Sequence, residues 1–274
     1  MKLISWNINS RSNQEILQKQ CDFLSSGDFD LIALQEVTMQ SQKYFKDYFV
    51  DHFAVSSFDL SKDVEILKNN RKYGQIIISK NQFKALNPYR IQIPFPERVL
   101  TIKLLNGTEV YTTHVPPGSS NGIIKVEHFE GLYKFLLKNP ESYKILCGDF
   151  NSPKQESLKG DVVTWGQKIN KSGEVRLAIN SKWKDDCSAE RWDLAERNII
   201  QNHVSLNMQD AFRALNGYED PSCSWFTKRN GVELGRRYDH IFSSTNFNLA
   251  ACFYDQSPRL QGLSDHSPII VEME

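Results

Sequence analysis

Short apolar runs separated by polar turns recur along the whole chain. In Leu3–Asn9 the alternation is strict: Ile4, Trp6 and Ile8 share one face, Asn7 and Asn9 the other, which is the period of a half-buried strand. Ser12-Asn13-Gln14-Glu15 matches a helix capping box, and Ile16, Leu17, Cys21 and Leu24 follow at helical spacing. Gly27 stands where a left-handed helix stop is expected. Asp30–Val37 reads as a short strand ending in Gln35-Glu36, then a short helix in the 40s and strands near His52–Ser56 and Gln75–Lys80. Val99–Leu104 and Glu109–Val115 flank Asn106-Gly107, a pair that predicts a hairpin with two positive-φ turn residues.

Farther along, Val126, Phe129, Leu132, Tyr133 and Leu136 mark a helix that ends before Pro140, and Lys144–Phe150 is the next strand. Ser157–Asp186 is polar and reads as an irregular surface insertion. Ser188–Leu206 is helical, with Trp192, Ala195, Ile199 and His203 on one face. The last strands are Arg237–Ser243, Phe247–Tyr254 and Ser267–Met273. Strands and helices interleave, yet hairpins occur too. That combination predicts an α/β fold with mixed sheets and helices outside, not a pure parallel sheet. No dinucleotide fingerprint or phosphate-binding P-loop is found. The expected organisation is one domain over 1–274, with the insertion near 157–186.

Composition narrows the partners. The 274 residues carry 33 basic and 33 acidic side chains, so the formal net charge is zero. A polyelectrolyte tail is excluded; a local basic groove is not. Ser61–Arg90 holds seven basic residues against two acidic ones, readable as a solvated loop or as a phosphate-backbone contact. Lys228, Arg229, Arg236 and Arg237 form a second basic run around Glu233. The five scattered cysteines include no C-x-x-C pair, so a reducing, cytoplasmic setting is expected and a disulfide scaffold or zinc ribbon is not. No signal peptide is read at the N-terminus and no apolar run approaches about 18 residues, so no membrane partner is expected.

The candidate chemistry lies at strand ends. Apolar strands carry a carboxylate, an amide or a histidine at or near their ends in Ser5-Trp6-Asn7, Leu34-Gln35-Glu36 and Thr112-Thr113-His114. The same holds in Gly148-Asp149-Phe150-Asn151, Tyr238-Asp239-His240 and Ser264-Asp265-His266. Were these ends to converge at one rim, their polar groups would share a cleft. Buried carboxylates are costly unless paired or bound to metal. A hard divalent cation is the economical partner, and oxygen ligands suit Mg²⁺, with Mn²⁺ as the alternative, better than zinc.

The ordered set Trp6-Asn7-Ile8-Asn9, Leu34-Gln35-Glu36, Gly148-Asp149-Phe150-Asn151, Arg237-Tyr238-Asp239 and Ser264-Asp265-His266 closely resembles the endonuclease/exonuclease/phosphatase superfamily. Two stretches, Met1–Val37 and Asp210-Ala211-Phe212-Arg213 through Ser224-Trp225-Phe226 to Asp239, resemble its exonuclease III/AP endonuclease branch. The resemblance implies a four-layered sandwich of two mixed β-sheets flanked by α-helices, and metal-assisted phosphoester hydrolysis. It implies Glu36 as the main metal carboxylate, with Asn7 and Asp265 in or near the coordination sphere. It implies that Asp149 orients or deprotonates water, that Asn151 holds a nonbridging phosphate oxygen, and that His266 contacts the phosphate or acts as a base, its tautomer fixed by Asp239. Asn9, Trp225, Arg229 and Arg237 are the candidate substrate contacts; Trp225 reads either as a core aromatic or as a lip residue stacking on a base, and the Lys228–Arg237 run either as a solvated hairpin or as a phosphate-binding edge.

One position departs from the branch. His114 stands where AP endonucleases place a Tyr, and it resembles the deoxyribonuclease I, sphingomyelinase and phosphatase branches. The favoured expectation is therefore a Mg²⁺-dependent nuclease acting on DNA, without marked preference for abasic sites and without an obligate protein partner. The alternatives are hydrolysis of a small or lipid phosphoester and, in another class, a non-catalytic binding module. His240 is read as packing beside the site, His203 as a core or boundary histidine, and His52 and His128 as residues without a motif.

Overall fold

The computed structural model describes residues 1–62, 73–138, 140, 142–178, 187–229 and 231–274. The chain begins with β1 (Lys2–Asn7), α1 (Gln14–Ser26), β2 (Leu31–Val37), α2 (Met39–Tyr48), β3 (Phe53–Ser56) and α3 (Ser57–Leu60). It continues with β4 (Gly74–Ser79), β5 (Phe83–Leu86), β6 (Val99–Leu104), β7 (Glu109–His114), α4 (Gly118–Asn121), α5 (Ile123–Leu136) and β8 (Lys144–Asp149). Short strands β9 (Gln155–Glu156), β10 (Val162–Val163), β11 (Gln167–Ile169) and β12 (Val175–Leu177) precede α6 (Ala189–Ile200), β13 (Met208–Asp210) and α7 (Ala211–Asn216). The last elements are β14 (Trp225–Arg229), β15 (Val232–Arg236), β16 (Asp239–Ser244), β17 (Leu249–Tyr254), α8 (Ser257–Leu260) and β18 (Ile269–Met273).

Two six-stranded mixed sheets result, ordered β17-β18-β1-β2-β4-β3 and β13-β16-β8-β7-β6-β5. The period-two alternation assigns each residue to a layer. Leu3 of β1, Leu31 and Ala33 of β2, Val110 of β7 and Ile145 and Cys147 of β8 share one core between the sheets. Their neighbours Ile4, Trp6, Ile32 and Leu34 face outward and pack on Leu17, Cys21 and Leu24 of α1 and Phe45 of α2. On the other side Tyr111 and Leu146 pack on Val126 and Phe129 of α5 and Trp192 and Ile199 of α6. The layers are thus helix, sheet, sheet, helix, as the sequence patterning and the resemblance lead one to expect.

Several local expectations are corrected. Asn13, not Ser12, caps α1, its Oδ1 accepting from the N–H groups of Glu15 and Ile16. Gly27 has φ −78°, so it is no left-handed stop; a Cβ there would lie 2.1 Å from the Phe29 ring, and close approach is what requires glycine. In the 106–107 turn only Gly107 has positive φ, because the Thr108 N–H donates to Asn106 Oδ1 and holds a wider loop. Helix α6 stops at Ile200, and His203 begins a separate 3-10 turn. The 157–186 segment is not all surface: Val162, Val163 and Thr164 are buried, with residues 179–186 outside the described set. The expectation of a basic 61–90 contact falls partly on residues 63–72, also outside it. Of the remainder, Lys80 pairs with Asp28 at 2.6 Å and Arg90 with Glu109 at 2.6 Å.

A buried ionic knot ties the second sheet to the β14–β15 hairpin and the insertion. The Arg237 guanidinium donates to Asp210 Oδ2 at 2.6 Å and Glu156 Oε1 at 2.7 Å, and Arg213 Nη2 donates to Glu156 Oε2 at 2.7 Å. Burial pushes the Glu156 carboxyl up, but Arg237 and Arg213 outweigh it and hold it at about 2, below its ordinary 4.5. A depressed carboxylate adds stability above its unfolded pKa and loses it as pH falls through the folded one. Glu156→Gln is therefore expected to cost about 3 kcal/mol near pH 7, the scale of breaking a buried pair. The gap to wild type should narrow as pH drops from about 4.5 toward 2, read by thermal melts across pH. A gap that stays constant down to about pH 3 would contradict the role of Glu156.

Candidate active site

Six strand ends reach one rim of the sandwich. β1 and β2 run parallel, as do β7 and β8, and bring their C-terminal ends there; β16 and β18, antiparallel to β8 and β1, bring their N-terminal ends. The alternation that places Leu3 and Ser5 between the sheets places Asn7 there too, and likewise Asp149 after Ile145 and Cys147. In the β7–β8 register His114 faces Asp149, and in the β8–β16 register Asp149 faces Asp239.

Two backbone features are needed to build this rim. Strict alternation would turn Glu36 outward with Leu34, but a bulge between Gln35 and Val37 leaves Glu36 without a partner in β4. Its φ of 54° swings the carboxylate into the cleft; a non-glycine residue there costs about 1–3 kcal/mol. Gly148 has φ 133°, and a Cβ on it would sit 1.9 Å from the Thr113 carbonyl oxygen. Glycine alone allows β7 to pass that close to the residue before Asp149.

The polar groups then form one network across both sheets. Asn7 Nδ2 donates to Asp149 Oδ2 at 2.9 Å and to Glu36 Oε1 at 3.3 Å. Gln35 Nε2 reaches Thr112 Oγ1 on the facing sheet at 2.8 Å. His266 Nδ1 meets Asp239 Oδ2 at 2.7 Å, and its Nε2 lies 3.9 Å from Asp149 Oδ2. Trp6 Nε1 donates to the His266 carbonyl at 3.0 Å, and Ser264 Oγ donates to the Asn7 carbonyl at 2.6 Å. These bonds join the N-terminal motif to the C-terminal one.

Electrostatics separate the two histidines. Burial alone would lower His266, but Asp239 and Asp149 overcome it and raise it to about 10, which favours the imidazolium so long as no metal binds the ring. His114 is pushed far down, first by burial and then by Arg98. Arg98 Nη1 contacts His114 Nδ1. A guanidinium can only donate, so Nδ1 accepts and the ring proton sits on Nε2. That N–H faces Glu36 Oε1 at 3.6 Å and Asp149 Oδ2 at 3.7 Å. Asp149 and Glu36 are both raised by burial, with Asp239 adding to the first and Asp265 to the second.

The residues fit a cation. Glu36, Asp149, Asp239 and Asp265 contribute hard oxygen donors, and buried Asp239 Oδ1 has no hydrogen-bond partner among the described residues. Among the described residues, ligand atoms of Asp149, Asp239 and His266 lie within 4.8 Å of one another, a cluster that can hold a divalent metal. The cleft above them has a volume of about 840 Å³. Trp225 lines it, half-buried, its Nε1 donating to Asp265 Oδ2 at 3.3 Å and its ring stacked 5.3 Å from Tyr238.

Not every expected residue arrives here. Arg237 is consumed by Asp210 and Glu156 and is 4% exposed, so it cannot meet a phosphate. Asn9 approaches through its backbone, its N–H donating to Asn7 Oδ1 at 2.9 Å. The Arg229 side chain lies outside the described residues. His240 is packing: its ring is stacked on Phe242 and its Nε2 meets the Ser152 carbonyl at 2.8 Å. His128 Nε2 contacts Thr113 Oγ1 at 2.9 Å behind the site. Sequence reading missed Arg98, Lys125, Glu196 and Trp165. Arg98 precedes a strand with no motif around it, and Lys125 sits one residue before the helical stripe beginning at Val126.

The sequence profile of the Endonuclease/Exonuclease/phosphatase family matches residues 4–266. An exodeoxyribonuclease of Bacillus subtilis is 25% identical over 98% of both chains. The fold is shared with an AP endonuclease from Archaeoglobus fulgidus (21% identity, TM-score 0.69, 100% of this chain and 99% of that one). It is shared also with a 3′ phosphatase from Neisseria solved with a product DNA hairpin (21%, TM-score 0.70, the same coverage). The chain belongs to the endonuclease/exonuclease/phosphatase family and is a metal-dependent phosphoester hydrolase. The Asp239–His266 pair should be indispensable to that activity. Asp239→Asn removes the charge that keeps His266 protonated and is expected to lower turnover of a generic bis-phosphodiester about 10²–10⁴-fold. Initial rates taken beside melting curves check this; wild-type turnover in a folded variant would contradict it.

Proposed function

We propose that this hydrolase is a Mg²⁺-dependent nuclease whose substrate is DNA. The observation that carries the reading is the Asn7 amide held between Glu36 and Asp149, which sets a metal carboxylate beside a water-orienting one. Glu36, with Asn7 and Asp265, would hold the cation, and the oxygen-rich donor set favours Mg²⁺ or Mn²⁺. When bound there, the metal screens the phosphate and stabilises charge developing on the leaving oxygen.

The remaining roles belong to side chains. Asp149, buried and facing His114, orients the attacking water and accepts its proton. Asn151, held in the left-handed region at φ 49°, presents its amide to a nonbridging phosphate oxygen. The His266 imidazolium, oriented by Asp239, places a cationic N–H at the phosphate. Neutral His114 offers an Nε2–H donor from the opposite strand pair, in place of the tyrosine of AP endonucleases.

DNA as substrate is supported by the exodeoxyribonuclease relative and by the Neisseria phosphatase bound to a DNA hairpin. Trp225 at the cleft wall suits a base face. Among the described residues no helix is long and apolar enough to cross a membrane. The cysteines are free, four of them buried, and this supports a cytoplasmic setting.

With Mg²⁺, the protein is expected to cleave single- or double-stranded DNA with little base preference, more slowly as salt rises. Abasic duplex should not be greatly preferred. A panel of plasmid, oligonucleotides, abasic duplex, RNA and a bis-phosphodiester checks this. Turnover confined to a nucleotide, sugar phosphate or lipid headgroup would replace the DNA reading. Glu36→Gln should raise the Mg²⁺ concentration for half-maximal rate by about tenfold or more, since even outer-shell partners are worth about 10–100-fold in affinity. An unchanged metal titration would remove Glu36 from the coordination sphere.

A further inference from the structure

Lys125, Trp165 and Trp192 line the cleft beside Asn151 and belong to a network that the reaction as described does not use. Lys125 of α5 and Glu196 of α6, each 1% exposed, form an ion pair at 3.0 Å. The Glu196 carboxylate also accepts from Trp192 Nε1 at 2.6 Å and from the Trp165 backbone N–H at 3.0 Å. Both ends of this network converge on one atom. Lys125 Nζ donates to the Asn151 carbonyl at 2.8 Å, and Trp165 Nε1 donates to the same oxygen at 3.0 Å.

Asn151 needs such support. It sits at φ 49°, a conformation that a non-glycine residue keeps only when its surroundings fix it. Its backbone N–H donates to Asp149 Oδ1 at 2.8 Å, and its Nδ2 donates to the Val115 carbonyl at 3.0 Å and, more distantly, to Asp149 Oδ2 at 3.4 Å, the N–H that a phosphate oxygen would take over. The two donors on its carbonyl complete the set and pin the peptide. A buried ion pair is weak evidence for stability by itself. Here its geometry does something an apolar replacement could not: it aims an ammonium at one carbonyl.

We propose that Lys125 and Trp165, held by Glu196, are positioning residues that fix the Asn151 peptide and thereby aim its side chain at the phosphate. The inference rests on the phosphate-holding role given to Asn151. It gives the insertion a function, since Trp165 comes from that segment and docks on α6, with Thr164 Oγ1 donating to Asp193 Oδ1 at 2.6 Å. The insertion is then part of the catalytic scaffold.

A double-mutant cycle on turnover of bis(p-nitrophenyl) phosphate in Mg²⁺ tests it. Trp165→Phe keeps an aromatic ring, though a smaller one, and deletes one hydrogen bond to Asn151. Turnover should fall about five-fold, the factor of one ordinary hydrogen bond, with KM and the Mg²⁺ half-saturation unchanged. In the Asn151→Ala background the same substitution should change turnover by less than about two-fold, because nothing remains to be aimed. Lys125→Met should lower turnover further and Lys125→Arg restore part of it. An equal loss in both backgrounds, no loss in the first, or a loss confined to KM would overturn the proposal; if Lys125→Met fails to fold, the Trp165→Phe cycle decides alone. Wild-type turnover in Asn151→Ala would instead remove the role of Asn151 itself, and with it anything to position. Absence of turnover in the unmodified protein would refute the hydrolase reading before the cycle is reached.

Discussion

The site depends on burying several carboxylates at the rim between two packed sheets. Deeper in that layer Leu3, Ala33, Ile77, Ile145 and Ile241 pack together. At the rim the same inward positions are Asn7, Gln35, His114, Asp149 and Asp239, all buried. Uncompensated negative charge there would cost several kcal/mol per group. The fold offsets it with the imidazolium of His266, the amide of Asn7 and oxygen donors arranged for a cation. Much of the remaining local structure serves to keep those groups in reach of one another.

Two kinds of support can be separated. One acts along strands: the bulge at Glu36 and the glycine at 148 break the regular alternation or spacing at the positions where the chemistry needs it. The other acts from behind. Ser224 Oγ accepts from the Asp239 N–H at 3.0 Å, and Tyr254 Oη donates to the Asp239 carbonyl at 2.6 Å. Arg98 sets the His114 tautomer and the Lys125–Glu196 pair reaches the Asn151 carbonyl. Asp239, His114 and Asn151 are thus each held by a second residue, a common requirement of preorganised sites.

The layers were legible in the chain because strands and helices interleave with hairpins, and alternation in Leu3–Asn9 puts Ile4, Trp6 and Ile8 on one face and Asn7 on the other. The motif residues Asn7, Glu36, His114, Asp149, Asp239 and His266 were legible because each lies at or near an end of an apolar strand. What escaped is non-local. Nothing around Arg98 signals that it meets a histidine sixteen residues later, and Arg237 looks like a free cation until Asp210 and Glu156 are folded against it. Lys125 looks solvated beside an apolar stripe, and Trp165 lies in a segment whose polarity suggests surface. Charged residues whose partners are distant in sequence are invisible to period and spacing.

The proposed mechanism divides the rim into a cation-holding side at Glu36 and a proton-handling side at Asp149, Asp239 and His266. Crystals soaked in Mn²⁺ and measured for anomalous scattering test this most directly. The expected result is a peak at coordination distance from the Glu36 carboxylate, with the His266–Asp239 hydrogen bond intact. A peak centred instead among Asp149, Asp239 and His266, with none at Glu36, would contradict it.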